Sequence, residues 1–224
     1  MSSTRTAAHS RVGVAVRGWF GRPMHYAIFD TTWGAFGFVE HNGRVLATFL
    51  PRARREIVRS IRSSWPDAVE ASDSLPHFRR AVVDYFEGKR IRFPIEIDIS
   101  NLPPFYQSVL EVCRRIPYGQ AASYVDLARA VGKPHAARAV GGAMARNPLP
   151  LVVPCHRVLR ADGSIGGYSS THGVDEKSRL LRLEGVSQAL NKESFAVRSA
   201  TGPGFGRVKG VSGKRRPPVA VSVR

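Results

Sequence analysis

Four residues near the middle of the chain, Asn101-Leu102-Pro103-Pro104, separate two stretches that follow different secondary-structure periods. The second of two adjacent prolines has no N–H to donate and pushes its predecessor out of the helical region, so no single regular element runs through them. Upstream, YAIFDTTWGAFGFVE and RVLATFL are β-rich runs separated by His41-Asn42-Gly43, which carries the turn chemistry of a hairpin. ARREIVRSIRSSW reads as a helix with Ile57, Ile61 and Trp65 spaced four apart. PHFRRAVVDYFEG is a second helix closed by Gly88, and RIRFPIEIDIS alternates like a strand. Residues 24–100 therefore read as a small α/β domain.

Downstream the pattern turns helical. FYQSVLEVCRRI places Phe105, Val109, Val112 and Ile116 on one stripe, and Pro117-Tyr118-Gly119 stops it. SYVDLARAVG is a helix with Ser123 as its N-cap, Lys133-Pro134 a turn, and HAARAVGGAMA a second short helix. The pair has the length and spacing of a helix-turn-helix. Asn147-Pro148-Leu149-Pro150 breaks the chain again before LVVPCHRVLRADG, and a last helix runs from Lys177 to Glu184 with Gly185 ending it. The reading is α+β, with a second domain over 101–187. Residues 1–23 form a basic tail, and 188–224, rich in Gly, Pro, Ser and Lys/Arg, a disordered one.

The charge is one-sided. Thirty-four Lys and Arg face 17 Asp and Glu, a formal +17. Residues 1–25 hold four Arg and no acid, and residues 187–224 hold eight Lys or Arg against the single Glu193. The part between is basic too, which points to a polyanion, with nucleic acid before an anionic membrane surface. No run approaches the ~18 apolar residues of a membrane-spanning helix. The acid-free N-terminus lacks a secretory apolar core, and fits an organelle transit peptide as well as a plain basic tail. Two cysteines, Cys113 and Cys155, are too few for a disulfide framework and suggest a reducing interior. The localisation expected is cytoplasmic in a bacterium, nuclear or organellar in a eukaryote.

Pro154-Cys155-His156-Arg157 is the sharpest chemical signal. A neighbouring imidazole and cation lower a thiol pKa from about 8.5, and the thiolate is the nucleophile. Adjacent side chains do not always touch, so a water would bridge the two, and a third group would orient the imidazole. On these four residues alone, a buried inert cysteine is the commoner arrangement.

VPCHRV resembles the acceptor-site motif of the O6-alkylguanine-DNA alkyltransferases. The resemblance extends from about Phe105 to Gly185 through IPYGQAASYVDLARAVG, ARAVGGAMARNPLPLVVPCHRVLRADGSIGGYS and KSRLLRLEG, in the family's order. It implies a ribonuclease-H-like α/β domain followed by a mostly helical, winged-helix-like helix-turn-helix domain. It implies that Cys155 takes the alkyl group from guanine O6 in one irreversible turnover. His156 would be its base through a water, Glu184 the carboxylate orienting His156, and Tyr124 the proton donor to the departing guanine. The nucleotide must leave the stack to reach the thiol, and Arg138 would fill the gap from the minor groove. Ala137, Gly141, Asn147 and Arg157 would join Arg138 on the DNA side, Asn147 also tying the helix-turn-helix to the acceptor segment. Val158, Gly167, Tyr168 and Ser169 would line the pocket, with Tyr168 stacking on the base and backbone groups at Cys155, Val158 and Ser169 binding its edge.

The resemblance calls for no cofactor or metal, and for double-stranded DNA carrying O6-alkylguanine as the partner of a monomer. O4-alkylthymine is a second lesion of the same chemistry. The segment Ser170-Thr171-His172-Gly173-Val174 is about two residues longer than the commonest family pattern, which leaves the accepted alkyl size open. A non-catalytic alkyltransferase-like lesion binder is the alternative, but such proteins replace the acceptor cysteine and this chain has Cys155. A sequence-reading transcription factor fits poorly, since HAARAVGGAMA offers base edges little beyond Arg138.

Overall fold

The first β-rich run folds back on itself. In the computed structural model, which describes residues 23–166 and 173–186, it forms β1 (His25–Thr31) and β2 (Gly34–His41), paired antiparallel from His25–Glu40 to Thr31–Gly34. The tight turn between them hides among β-formers at Thr31-Thr32-Trp33. It is fixed by Thr31 Oγ1, which donates to Gly34 O at 2.7 Å and accepts from Trp33 N at 3.2 Å. The expected second turn follows, with Asn42 and Gly43 both at positive φ, and leads into β3 (Arg44–Arg52). Residues 1–22, 167–172 (Gly167, Tyr168 and Ser169 among them) and 187–224 lie outside the described residues, and with them the expectations made for both tails and for that loop and its longer continuation.

Both faces of the sheet are covered. Tyr26, Ile28, Val39 and Phe49 pack with Ile57, Ile61 and Trp65 of the α1 region (α1 is Arg54–Ser64). Ala27, Phe29, Phe36 and Phe38 pack with Phe78, Val82, Tyr85 and Phe86 of α2 (Pro76–Phe86). Burial on both faces explains why these strands read as nearly continuous apolar runs. A short strand that the sequence pattern does not signal, β4 (Val69–Glu70), pairs parallel to β1 and gives the order β3-β2-β1-β4.

RIRFPIEIDIS, expected as a strand, is not one. It is joined to β3 by one parallel bridge, Val45 with Ile97, through Val45 N to Glu96 O and Asp98 N to Val45 O. Pro94 removes a ladder donor in the middle of the run. Its alternation serves burial, since Phe93, Ile97 and Ile99 enter the core.

Behind the proline break come α3 (Pro104–Arg114), α4 (Tyr124–Ala130) and α5 (Ala137–Ala145). Ser123 caps α4 as expected, in a reciprocal box with Asp126. Gly132, at φ 71°, ends the α4 turn, and His135 and Ala136 belong to the turn rather than to α5. Ala122–Ser123 (β5) pairs parallel with Val158–Leu159 (β6). The last helix, α6 (Gly173–Leu183), begins a turn before Lys177 and buries Lys177, Leu180 and Leu181. The core does not stop at 101–104, because one apolar cluster joins Phe86 and Phe93 to Val109, Leu127, Val153 and Leu180.

The segment carrying the cysteine is tied to the sheet. Thr48 of β3 donates from its N–H to Pro148 O at 3.0 Å and from Oγ1 to Pro150 O at 2.6 Å. Leu151, next in the chain, sits at φ 79°, a left-handed conformation that costs a leucine about 1–2 kcal/mol. Thr48→Val keeps the shape and removes one bond to a buried segment. It should lower stability by about 1–2 kcal/mol in urea unfolding, and an unchanged midpoint would show that the hydroxyl bond contributes nothing.

Candidate active site

Cys155, His156 and Arg157 form one turn of 3-10 helix, entered through Pro154. All three side chains are buried. Asn147, just past the end of α5, reaches the turn from the helix-turn-helix. Its Nδ2 donates to Val153 O at 2.9 Å and to Cys155 Sγ at 3.2 Å, while its Oδ1 accepts from Leu149 N at 3.0 Å. One amide thus closes its own loop and touches the thiol.

His156 is 0% exposed, and its Nε2 lies 2.8 Å from Glu184 Oε1. With that carboxylate ionised, Nε2 carries the proton and Nδ1 keeps its lone pair. Nδ1 is buried and has no hydrogen-bond partner among the described residues. Burial lowers the imidazole below its ordinary value, outweighing the hydrogen bond and charge of Glu184, while Arg157 and Lys177 add to the lowering. The ring is therefore neutral at neutral pH, as a base must be.

Glu184 closes α6 and accepts from several parts of the chain. Oε1 takes Tyr85 Oη at 2.6 Å, His156 Nε2 at 2.8 Å and Arg157 Nη2 at 2.8 Å. Oε2 takes Arg157 Nε at 2.8 Å and Gly119 N at 3.3 Å. Burial pushes this carboxyl up, but the hydrogen bonds and charges of His156 and Arg157 overcome it and hold the group well below the carboxylate range.

Arg157, expected on the DNA side, is instead buried. Its guanidinium forks onto Glu184 and also donates to Ile116 O at 2.6 Å. Adjacency in sequence suggests a partner of Cys155 facing outward, but the 3-10 turn points the side chain into the core. Val158 is also buried. Its carbonyl accepts from Lys177 Nζ and its N–H donates to Cys155 O, so both backbone groups expected to read a base edge already have protein partners. A carbonyl oxygen has a second lone pair for a further donor.

Tyr124 opens α4 half-buried. Burial raises its phenol above the ordinary value, with Cys155 acting in the same direction, so the hydroxyl stays protonated. Gly166 is packed against it, since a Cβ there would stand 2.9 Å from Tyr124 Oη. Arg138 is exposed near the start of α5, Ala137 is half-buried beside it, and a Cβ on Gly141 would meet nothing within 4 Å. The structure brings Cys155, His156, Glu184 and Asn147 together and leaves Arg138 and Gly141 on the outer side of α5.

Two residues of this neighbourhood are not singled out by the sequence reading. Lys177 is fully buried, lies 5.9 Å from the Tyr124 ring centroid, and burial lowers its ammonium to about 8. A signal for it exists: Lys177, Leu180, Leu181 and Glu184 share one helical face, with a charge at each end of an apolar stripe. Tyr85 reads as an ordinary core aromatic of α2, and its partner lies 99 residues away.

A thiol next in sequence to a buried imidazole–carboxylate pair, and bonded by Asn147 to the end of a helix-turn-helix-like pair, defines a class of protein that sets a cysteine beside a base at a helical surface. Residues 104–186 match the model of the 6-O-methylguanine DNA methyltransferase DNA-binding domain. The constitutive methylated-DNA–protein-cysteine methyltransferase of Bacillus subtilis (strain 168) is 33% identical over 168 residues, covering 73% of this chain and 96% of the relative. The methylated-DNA–protein-cysteine methyltransferase of Methanosarcina acetivorans is 35% identical over 163 residues, covering 72% and 99%. A crystal structure of Mycobacterium tuberculosis OGT in complex with DNA superposes with a TM-score of 0.61 at 31% identity, covering 71% of this chain and 92% of the other. The chain belongs to the methylated-DNA–protein-cysteine methyltransferase family.

The depressed Glu184 carboxyl contributes stability that is fully present above its unfolded value of 4.5 and is lost as pH falls through the folded value. Glu184→Gln leaves the buried Arg157 guanidinium without its counter-charge. At neutral pH the variant should be less stable by about 3–5 kcal/mol in urea unfolding. The gap should narrow as the pH falls below about 4.5, and a pH-independent gap would reject the assignment.

Proposed function

We infer that this protein performs direct-reversal DNA repair, moving the alkyl group of O6-alkylguanine in duplex DNA onto Cys155 in a single turnover. The observation that carries the reading is the buried His156–Glu184 pair beside a thiol held by Asn147. Such a pair supplies a base for a thiol and has no structural need of a cysteine next to it.

In this reading the Cys155 proton passes to His156 Nδ1 through a bridging water, and Glu184 steadies the resulting imidazolium. The thiolate attacks the alkyl carbon in line. The S–C bond forms, the C–O6 bond breaks, and the electron pair leaves with guanine. Tyr124 gives the guanine ring a proton and recovers one from solvent. The thioether has no easy exit, so the protein is consumed.

The target base has to be extruded, because a stacked base does not reach a buried thiol. We assign Arg138 as the cation that takes its place, with α5 entering the minor groove as a monomer. The exposed Arg138, the half-buried Ala137 and the open space beside Gly141 support this approach. Residues 24–100 are read as ribonuclease-H-like, supported by three antiparallel strands with a fourth parallel to the first. Residues 101–187 are read as the DNA-binding and acceptor domain, winged-helix-like in its β5–β6 pair beside α4 and α5.

Intact-protein mass spectrometry after mixing with a duplex containing one O6-methylguanine tests the reaction. One added methylene, mapped to Cys155 and absent in Cys155→Ala, is the expected result; no gain would sink it. Gly141 tests the approach of α5. Gly141→Ala should stabilise the fold by up to about 1 kcal/mol, because its Cβ meets no atom. Gly141→Leu should fold as well yet bind duplex DNA at least about tenfold more weakly, and undiminished binding would move the DNA to another face.

A further inference from the structure

We propose that Tyr85, in the N-terminal half of the chain, is a positioning residue of the transfer reaction: its hydroxyl, bonded to Glu184, sets how strongly that carboxylate draws on His156. The proposal rests on the reading of Cys155 as acceptor and His156 as its base.

Tyr85 is fully buried, and its Oη stands 2.6 Å from Glu184 Oε1, the same oxygen that His156 Nε2 meets at 2.8 Å. Packing alone accounts for the ring. It lies against Phe86, Phe93 and Tyr118, with centroids 5.3 to 5.9 Å away. Packing does not account for the hydroxyl, because neighbouring positions of the same core are filled by phenylalanine, as at Phe78 and Phe86. A buried phenol needs an acceptor, and here the acceptor is the carboxylate that serves the base.

Donors to one carboxylate oxygen compete. Each stabilises the anion and leaves less of its charge for the others. The charged and titratable groups around the pair are Arg157 of the 3-10 turn, Lys177 of α6, Tyr118 of the loop after α3, and Tyr85 itself. Arg157 and Lys177 cannot be removed without changing the charge of the core. Tyr118 donates its hydroxyl to Leu183 O at 3.0 Å rather than to Glu184. Among the side chains of the described residues that donate to Glu184, Tyr85 alone is a neutral hydroxyl and alone precedes residue 101. Among those side chains it is therefore the one whose loss changes the pull on His156 without stranding a buried cation.

Removing the hydroxyl concentrates the Glu184 charge on His156, so the imidazole keeps its proton to higher pH. A more acidic phenol does the reverse. The test uses the full chain as wild type, as Tyr85→Phe, and with 3-fluorotyrosine placed at position 85. Single-turnover methyl transfer from an O6-methylguanine duplex is followed between about pH 4 and 9, and the His156 ring is titrated by NMR without DNA.

In Tyr85→Phe the acid limb of the rate profile and the imidazole midpoint should both move up, making transfer on that limb about threefold slower while the plateau stays within about twofold. Fluorotyrosine should move both down. Opposite shifts are not what a purely structural role gives. Coincident limbs and midpoints in an active Tyr85→Phe chain overturn the proposal alone. No transfer by the wild-type chain overturns the parent reading and this one with it. Should Tyr85→Phe fail to fold, the fluorotyrosine chain, which preserves the core, decides the matter by whether its midpoint falls or stays.

Discussion

A single buried carboxylate organises the acceptor region. Glu184 takes hydrogen bonds from α2, from the loop after α3 and from the 3-10 turn, while itself terminating α6. Placing a charge in a core costs several kcal/mol, and the cost is offset only when geometry and donors are close to ideal. Here a forked guanidinium, an imidazole, a phenol and a backbone N–H meet that condition together. The arrangement contributes little net stability compared with an apolar core of the same volume, and it fixes instead where four segments must sit relative to one another.

The thiol is held from the opposite direction. Thr48 anchors the Pro148–Pro150 segment to β3, Leu151 adopts a conformation that a free chain avoids, and Asn147 spans from the end of α5 to Cys155 Sγ. Strain at Leu151 persists because the residues around it are tied on both sides. The thiol and the imidazole therefore belong to one turn, yet they are positioned by different parts of the fold.

Features set by neighbours along the chain are legible in the sequence. The Ser123 cap, the Asn42-Gly43 turn, the α1 stripe and the Cys-His pair each depend on residues within a few positions of one another. Features that arise from tertiary pairing are not. Alternation over residues 90–100 looks like a strand because burial on one side produces the same pattern as a ladder, and Pro94 decides against the ladder. Arg157 is expected outward because adjacency to Cys155 says nothing of side-chain direction in a 3-10 turn. The link from Tyr85 to Glu184 spans 99 positions, and no local periodicity encodes it.

The proline break changes the periodicity of the chain without dividing its interior, since one apolar cluster passes beneath it. A fragment beginning at Pro104 would keep Cys155, His156, Asn147 and Glu184 in sequence. It would also lay bare the surface now covered by Tyr85, which sits against Tyr118 and Glu184. What ties the Cys155 turn to the N-terminal half is thus burial as much as hydrogen bonding: cut at 104, Glu184 would lose its Tyr85 donor and Tyr118 the ring packed against it.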